Sequence, residues 1–77
     1  MEWRKEYVVM LTFEVIVYNE TVRELLRDGE HHKRFSDDWG DSHYIEIKAD
    51  DENSALAKVQ MRYPERDGFV VEDISLV

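Results

Sequence analysis

Cysteine is absent from this 77-residue chain, proline occurs once, glycine three times, and ten bases stand against eighteen acids. Each shortage excludes something. Without cysteine there is no disulfide framework, thiolate zinc site, iron–sulfur cluster or cysteine nucleophile, so a small chain must be held by its core alone. Gly29, Gly40 and Gly68 each stand apart from the others, which leaves no glycine-rich phosphate loop. No run of about twenty apolar residues, the length that spans a bilayer, occurs. The opening Met-Glu-Trp-Arg-Lys-Glu carries both signs of charge, and the apolar stretch behind it is interrupted by Thr12 and Glu14, unlike the apolar segment of a secretory leader. These absences lead us to expect a cytoplasmic protein without membrane association.

What is present is apolar enough to fold. Hydrophobic residues make up 43% of the chain and include nine aromatics, more than a disordered acidic tail carries. The length allows one domain across residues 1–77, since chains of this size bury only about 60% of the surface they expose when unfolded.

The net charge of −8 is local. Between positions 37 and 52, Asp37, Asp38, Asp41, Glu46, Asp50, Asp51 and Glu52 face one base, Lys48, which gives −6, while the segments on either side carry −1 each. Part of this run suits the start of a helix, where acids meet the positive end of the helix dipole. The remainder reads as an acidic surface for a basic partner.

The elements follow from periodicity. Residues 7–18 are rich in β-branched and aromatic side chains, with Phe13, Val15 and Val17 on one face and Thr12, Glu14, Ile16 and Tyr18 on the other, a long central strand. The apolar second face of its first half suggests a cover, for which a second subunit is one candidate. Thr21-Val-Arg-Glu24 fits a capping box, Val22, Leu25 and Leu26 repeat at helical spacing, and Gly29 stands where a short helix ends. Tyr44 to Ala49 alternates as a half-buried strand. Asp50 or Asp51 caps a second helix with the stripe Ala55, Leu56, Val59 and Tyr63, and Pro64 ends it. A last strand begins at Phe69, and its parity breaks at Glu72-Asp73, which predicts a bulge.

The open question is the segment from Glu30 to Phe35. If extended, it forms a hairpin with the strand after it, and the order β-α-β-β-α-β is the ferredoxin-like arrangement, a small antiparallel sheet with two helices on one face. If not, a three-stranded variant remains, with the long first strand between the other two and one main helix packed across them. Both are α+β.

Several constellations bear on chemistry. His31, His32 and His43, with Asp37, Asp38 and Asp41 nearby, are the residue types that hold zinc, nickel or copper, yet adjacent strand residues point to opposite faces, so His31 and His32 do not share one ion without a bulge. The hydroxyls Ser36, Ser42, Ser54 and Ser75 fit no nucleophile pattern, and the carboxylates lie in the most polar part of the chain, where no burial raises a pKa for acid catalysis. Direct nucleic-acid binding needs clustered bases, and the one pair, Lys33-Arg34, is expected to pair with the aspartates across the hairpin. Trp39 lies among acids in a turn. It either folds back over the edge of the core or anchors an interface, a role in which tryptophan is enriched. Trp3 is expected to pack over an end of the first strand.

The reading is a small acidic non-enzymatic binding protein without cofactor or metal. By analogy of size and charge, it is an accessory or inhibitory factor, of the kind viruses encode to imitate nucleic acid, acting on a protein partner with a basic surface through Asp37, Asp38, Trp39, Asp41, Glu46, Asp50 and Asp51. Two alternatives stand beside it. One is an oligomerisation domain forming a homodimer through the first strand; the other is a metal-binding or hydrolytic protein using His31, His32 and His43.

Overall fold

A computed structural model describes residues 10–77. The elements run in the order β1 (Leu11–Asn19), α1 (Glu20–Arg27), a 3-10 turn (Asp37–Gly40), β2 (His43–Ala49), α2 (Glu52–Arg62), a second 3-10 turn (Glu65–Asp67) and β3 (Phe69–Leu76). The three strands form one antiparallel sheet in the order β2-β1-β3. This is the three-stranded α+β variant, with the first strand in the centre. Positions 7–9 of the expected strand, and Trp3, lie outside the described residues.

The core follows the period-two pattern of β1. Phe13, Val15 and Val17 are buried on one face, joined by Ile47 and Ala49 of β2, Phe69 of β3, and Ala55 and Val59 of α2. Each fully buried valine or phenylalanine contributes about 1.5–3 kcal/mol of transfer free energy. α2 starts where Asp51 accepts a hydrogen bond from the Ser54 amide at 2.7 Å, and it stops at Tyr63, the residue that Pro64 disfavours in helical conformation. The expected bulge is present. Pairing with β1 passes from Ile16–Asp73 to Val17–Val71, so Glu72 is the extra residue, and the shift returns Ile74 and Leu76 to the face of Phe69 and Val71.

One open alternative is resolved and one expectation is corrected. The segment from Glu30 to Phe35 is not a strand, so the ferredoxin-like order does not form. Its amides are used locally: His32 Nδ1 accepts from the Arg34 and Phe35 amides at 3.0 and 3.2 Å, which curls the chain and removes donors that a ladder requires. Secondly, α1 is capped by Asn19 and not by Thr21. Asn19 is fully buried. Its Oδ1 accepts from the Val22 amide at 2.9 Å, while its Nδ2 donates to the Asp67 carbonyl at 3.0 Å, so one side chain both starts α1 and ties it to the turn before β3. The Glu20 amide adds a bond to the Gly68 carbonyl at 2.7 Å. Gly68 adopts φ +98°, and a Cβ there would lie 2.7 Å from Asn19 Oδ1, so the turn requires glycine on both counts.

Helix α1 ends as expected, with Gly29 in the left-handed region and the Glu30 amide bonded back to the Leu25 carbonyl. It packs chiefly against the Asp37–Gly40 turn and buries Val22 fully, whereas α2 supplies Ala55 and Val59 to the main core cluster. Among the described residues no helix is long and apolar enough to cross a membrane.

Candidate functional site

The Asp37–Gly40 turn is short, and its own bonds, from the Trp39 amide to the Ser36 carbonyl and from the Asp41 amide to the Asp38 carbonyl, would not fix it on the fold. Three side chains do. Arg23 of α1 donates from Nε to the Gly40 carbonyl at 2.8 Å, with its guanidinium stacked 3.7 Å over the Tyr18 ring. His43, the first residue of β2, donates from Nε2 to the Asp38 carbonyl at 2.9 Å. Trp39 stacks on the His43 imidazole with centroids 4.0 Å apart, and meets Phe69 and Tyr63 at 5.3 and 5.4 Å. Gly40 is buried against α1, where a Cβ would approach Leu26 Cδ1 to 3.1 Å.

Trp39 therefore folds back over the core edge. It is half-buried in an aromatic cluster that also holds Phe35, 5.1 Å from Phe69, and it serves as the footing of the turn. Above that footing Asp37, Asp38 and Asp41 are exposed. Ser42 donates to Glu72 Oε1 at 2.8 Å, which brings the acid of the β3 bulge to the same end of the molecule.

The other expected acids divide. Glu46 lies on the sheet face opposite the core, directly across from Glu14 of β1. Ile16, the next residue on that face of β1, has Tyr44 on one side and Asp73 on the other, so the open face bears Glu14, Glu46 and Asp73. Like charges directly opposite in a sheet repel and cost about 0.2–1 kcal/mol. Asp50 and Asp51 are elsewhere. They follow the far end of β2, whose seven residues separate them from Asp41 by about 20 Å, and Asp51 is occupied in capping α2. The acidic surface is thus the Asp37–Asp41 end together with the open face.

The three histidines are also separated in role. His31 donates from Nδ1 to Asp37 Oδ1 at 2.9 Å, and this hydrogen bond, with the carboxylate's charge, raises the pKa of His31 above its usual 6.5. His32 turns its Nδ1 to backbone amides, and His43 serves the Asp38 carbonyl. Among the described residues no group of three or more histidine, aspartate or glutamate side chains is arranged to hold a metal ion. The expected pairing of Lys33-Arg34 with the aspartates is corrected as well: Arg34 reaches Asp67 at 3.4 Å, because without the hairpin its segment passes the turn before β3.

Sequence reasoning missed Glu14, Glu72, Asp73 and Arg23. The alternation in β1 had placed Glu14 on the outer face, but only the pairing register sets it beside Glu46. Nothing local to Arg23 signals a partner seventeen positions away. No protein-family model, curated protein or solved structure matches this chain, so likeness assigns it neither a family nor an activity.

Proposed function

We propose that the chain is a non-enzymatic binding protein, an accessory or inhibitory factor, that docks on a basic protein surface through Asp37, Asp38 and Asp41 and the adjoining acids Glu46, Glu14, Glu72 and Asp73. The observation that carries this reading is the mounting of the turn. Arg23 and His43 hold the carbonyls of Gly40 and Asp38 from beneath, and Trp39 is stacked below, so the aspartates are displayed on a backbone already fixed before any partner arrives. Preorganised charge loses less freedom on association and steers encounter with an oppositely charged surface. The Glu14–Glu46 repulsion on the open face points the same way, since lysines or arginines of a partner would relieve it.

A surface shaped to hold nucleic-acid phosphates is the class of partner that fits an array of exposed carboxylates, and a cytoplasmic setting suits a cysteine-free chain. The described part of β1 argues against self-association through it. Both edges of that strand are occupied by β2 and β3, and stacking its open face on a second copy would set Glu14, Glu46 and Asp73 against their own equivalents.

The test is capture of partners from the native host by the wild type and by Asp37→Lys/Asp38→Lys/Asp41→Lys, followed by titration of each captured partner at rising salt with duplex nucleic acid as competitor. The reading expects a basic partner bound by the wild type, lost by the variant, weakened by salt and displaced by the duplex. Equal binding of that partner to both proteins would overturn it.

A further inference from the structure

The outer edge of β2 carries charge opposite to that of the chain as a whole. Among the described residues β2 pairs with β1 alone. Lys58 of α2 donates from Nζ to the Lys48 carbonyl at 2.6 Å, which shows that this carbonyl points away from β1. By the alternation of an antiparallel strand, Tyr44 and Glu46 present their N–H and C=O groups on the same outer side. Between that edge and α2 lies an open groove of about 420 Å³, lined by Glu46, Ile47, Lys48, Lys58, Met61 and Arg62. Three cations and one acid line it, in a chain of net charge −8. Met61 is 85% exposed beside them.

We propose that this edge and groove bind an extended acidic peptide by strand addition to β2. Lys58 now supplies from a side chain what an added strand supplies from its backbone, a donor to the outward carbonyl of Lys48. An incoming peptide amide takes over that acceptor, and the released ammonium joins Arg62 in meeting carboxylates of the peptide on the α2 side of the sheet. Alternate apolar side chains of the peptide fall on the opposite face of the sheet, along the exposed ring of Tyr44 and the aliphatic stem of Lys48. Charge selects the occupant. A second copy of the chain, added edge to edge, would set Lys58 and Arg62 against their own equivalents, whereas the carboxylates of an acidic segment meet both cations. This site shares only Glu46 with the acidic surface and holds whether or not that surface docks as proposed.

The probe is a fluorescent peptide of about seven residues, matching the length of β2, in which glutamate alternates with valine. Three comparisons accompany it: the same peptide with lysine for glutamate, the same peptide with a central proline that has no N–H to donate, and the variant Lys58→Glu/Arg62→Glu. Both substituted side chains are exposed, and the variant's thermal melt checks that it folds. The expected result is saturable binding of the acidic peptide with amide shifts concentrated at Tyr44, Glu46 and Lys48, about tenfold weaker in the variant, and absent for the proline and lysine peptides. Failure of the acidic peptide to bind, shifts confined to β3, tolerance of the proline, or dimerisation through β2 in place of peptide binding would each overturn the proposal.

Discussion

Asn19→Ala removes two hydrogen bonds from a side chain with no exposure to solvent. The cap on α1 goes first, at about 1 kcal/mol. The Asp67 carbonyl then loses its donor in a partly buried site, at about 1–2 kcal/mol, and the vacated volume adds a fraction more. The total is about 3 kcal/mol. A domain of 77 residues has a stability of about 4–12 kcal/mol, so this one substitution removes a quarter or more of it. On the scaling for small domains, the melting temperature falls by roughly 12–24 °C. Thermal and urea unfolding followed by far-ultraviolet circular dichroism measure the loss, with an unchanged urea slope as the check that the unfolded state is the same. Asn19→Asp separates the two arms, because it keeps an acceptor for the Val22 amide but loses the donor to Asp67. It should be destabilised as well, by the second arm and by the burial of a charge. A melting temperature for Asn19→Ala within a few degrees of the wild type would refute the claim that this side chain joins α1 to β3.

Two further outcomes follow from the site. The pKa of His31 is raised in the folded state by Asp37, so the pair's contribution is fully present below the ordinary value of 6.5 and is lost as pH rises through the folded value. Nuclear magnetic resonance titration should place His31 above 6.5 in the wild type and return it toward that value in Asp37→Asn; a wild-type value at or below 6.5 contradicts the pairing. Because protonated His31 offsets the charge of Asp37, affinity for a basic partner should rise over the same pH window. Trp39→Ala, at a half-buried position over Phe69 and Tyr63, should lower stability by about 2 kcal/mol, less than a fully buried tryptophan, and weaken partner binding by freeing the turn. Urea unfolding with a change under about 0.5 kcal/mol would show that Trp39 is not the footing described.

Much of the fold was legible in the sequence because its signals are local. The alternation of Phe13, Val15 and Val17, the stripe of Ala55 and Val59, the stop at Pro64 and the parity break at Glu72 each act within a few residues, and each appears where it was expected. The cap of α1 was misplaced because Thr21 and Glu24 imitate a capping box. Asn19 wins the role through its second bond, to Asp67, forty-eight positions away. The segment from Glu30 to Phe35 was ambiguous for a related reason. Its polar residues have no period, and the choice between ladder and curl fell to one imidazole, His32, that offers its acceptor to two amides.

The sequence by itself determined that the chain folds without covalent staples, that its charge excess is concentrated between positions 37 and 52, and that the first strand has one face for the core. Tertiary structure decided how that charge is distributed. β2 carries Asp50 and Asp51 about 20 Å from Asp41, while pairing with β1 sets Glu46 beside Glu14, and the bulge brings Glu72 to Ser42. It also gathered Lys48, Lys58 and Arg62 on the outer edge of β2. The physical reason is that charges repel or attract according to distance in space, and strand register and helix placement, not position along the chain, set those distances.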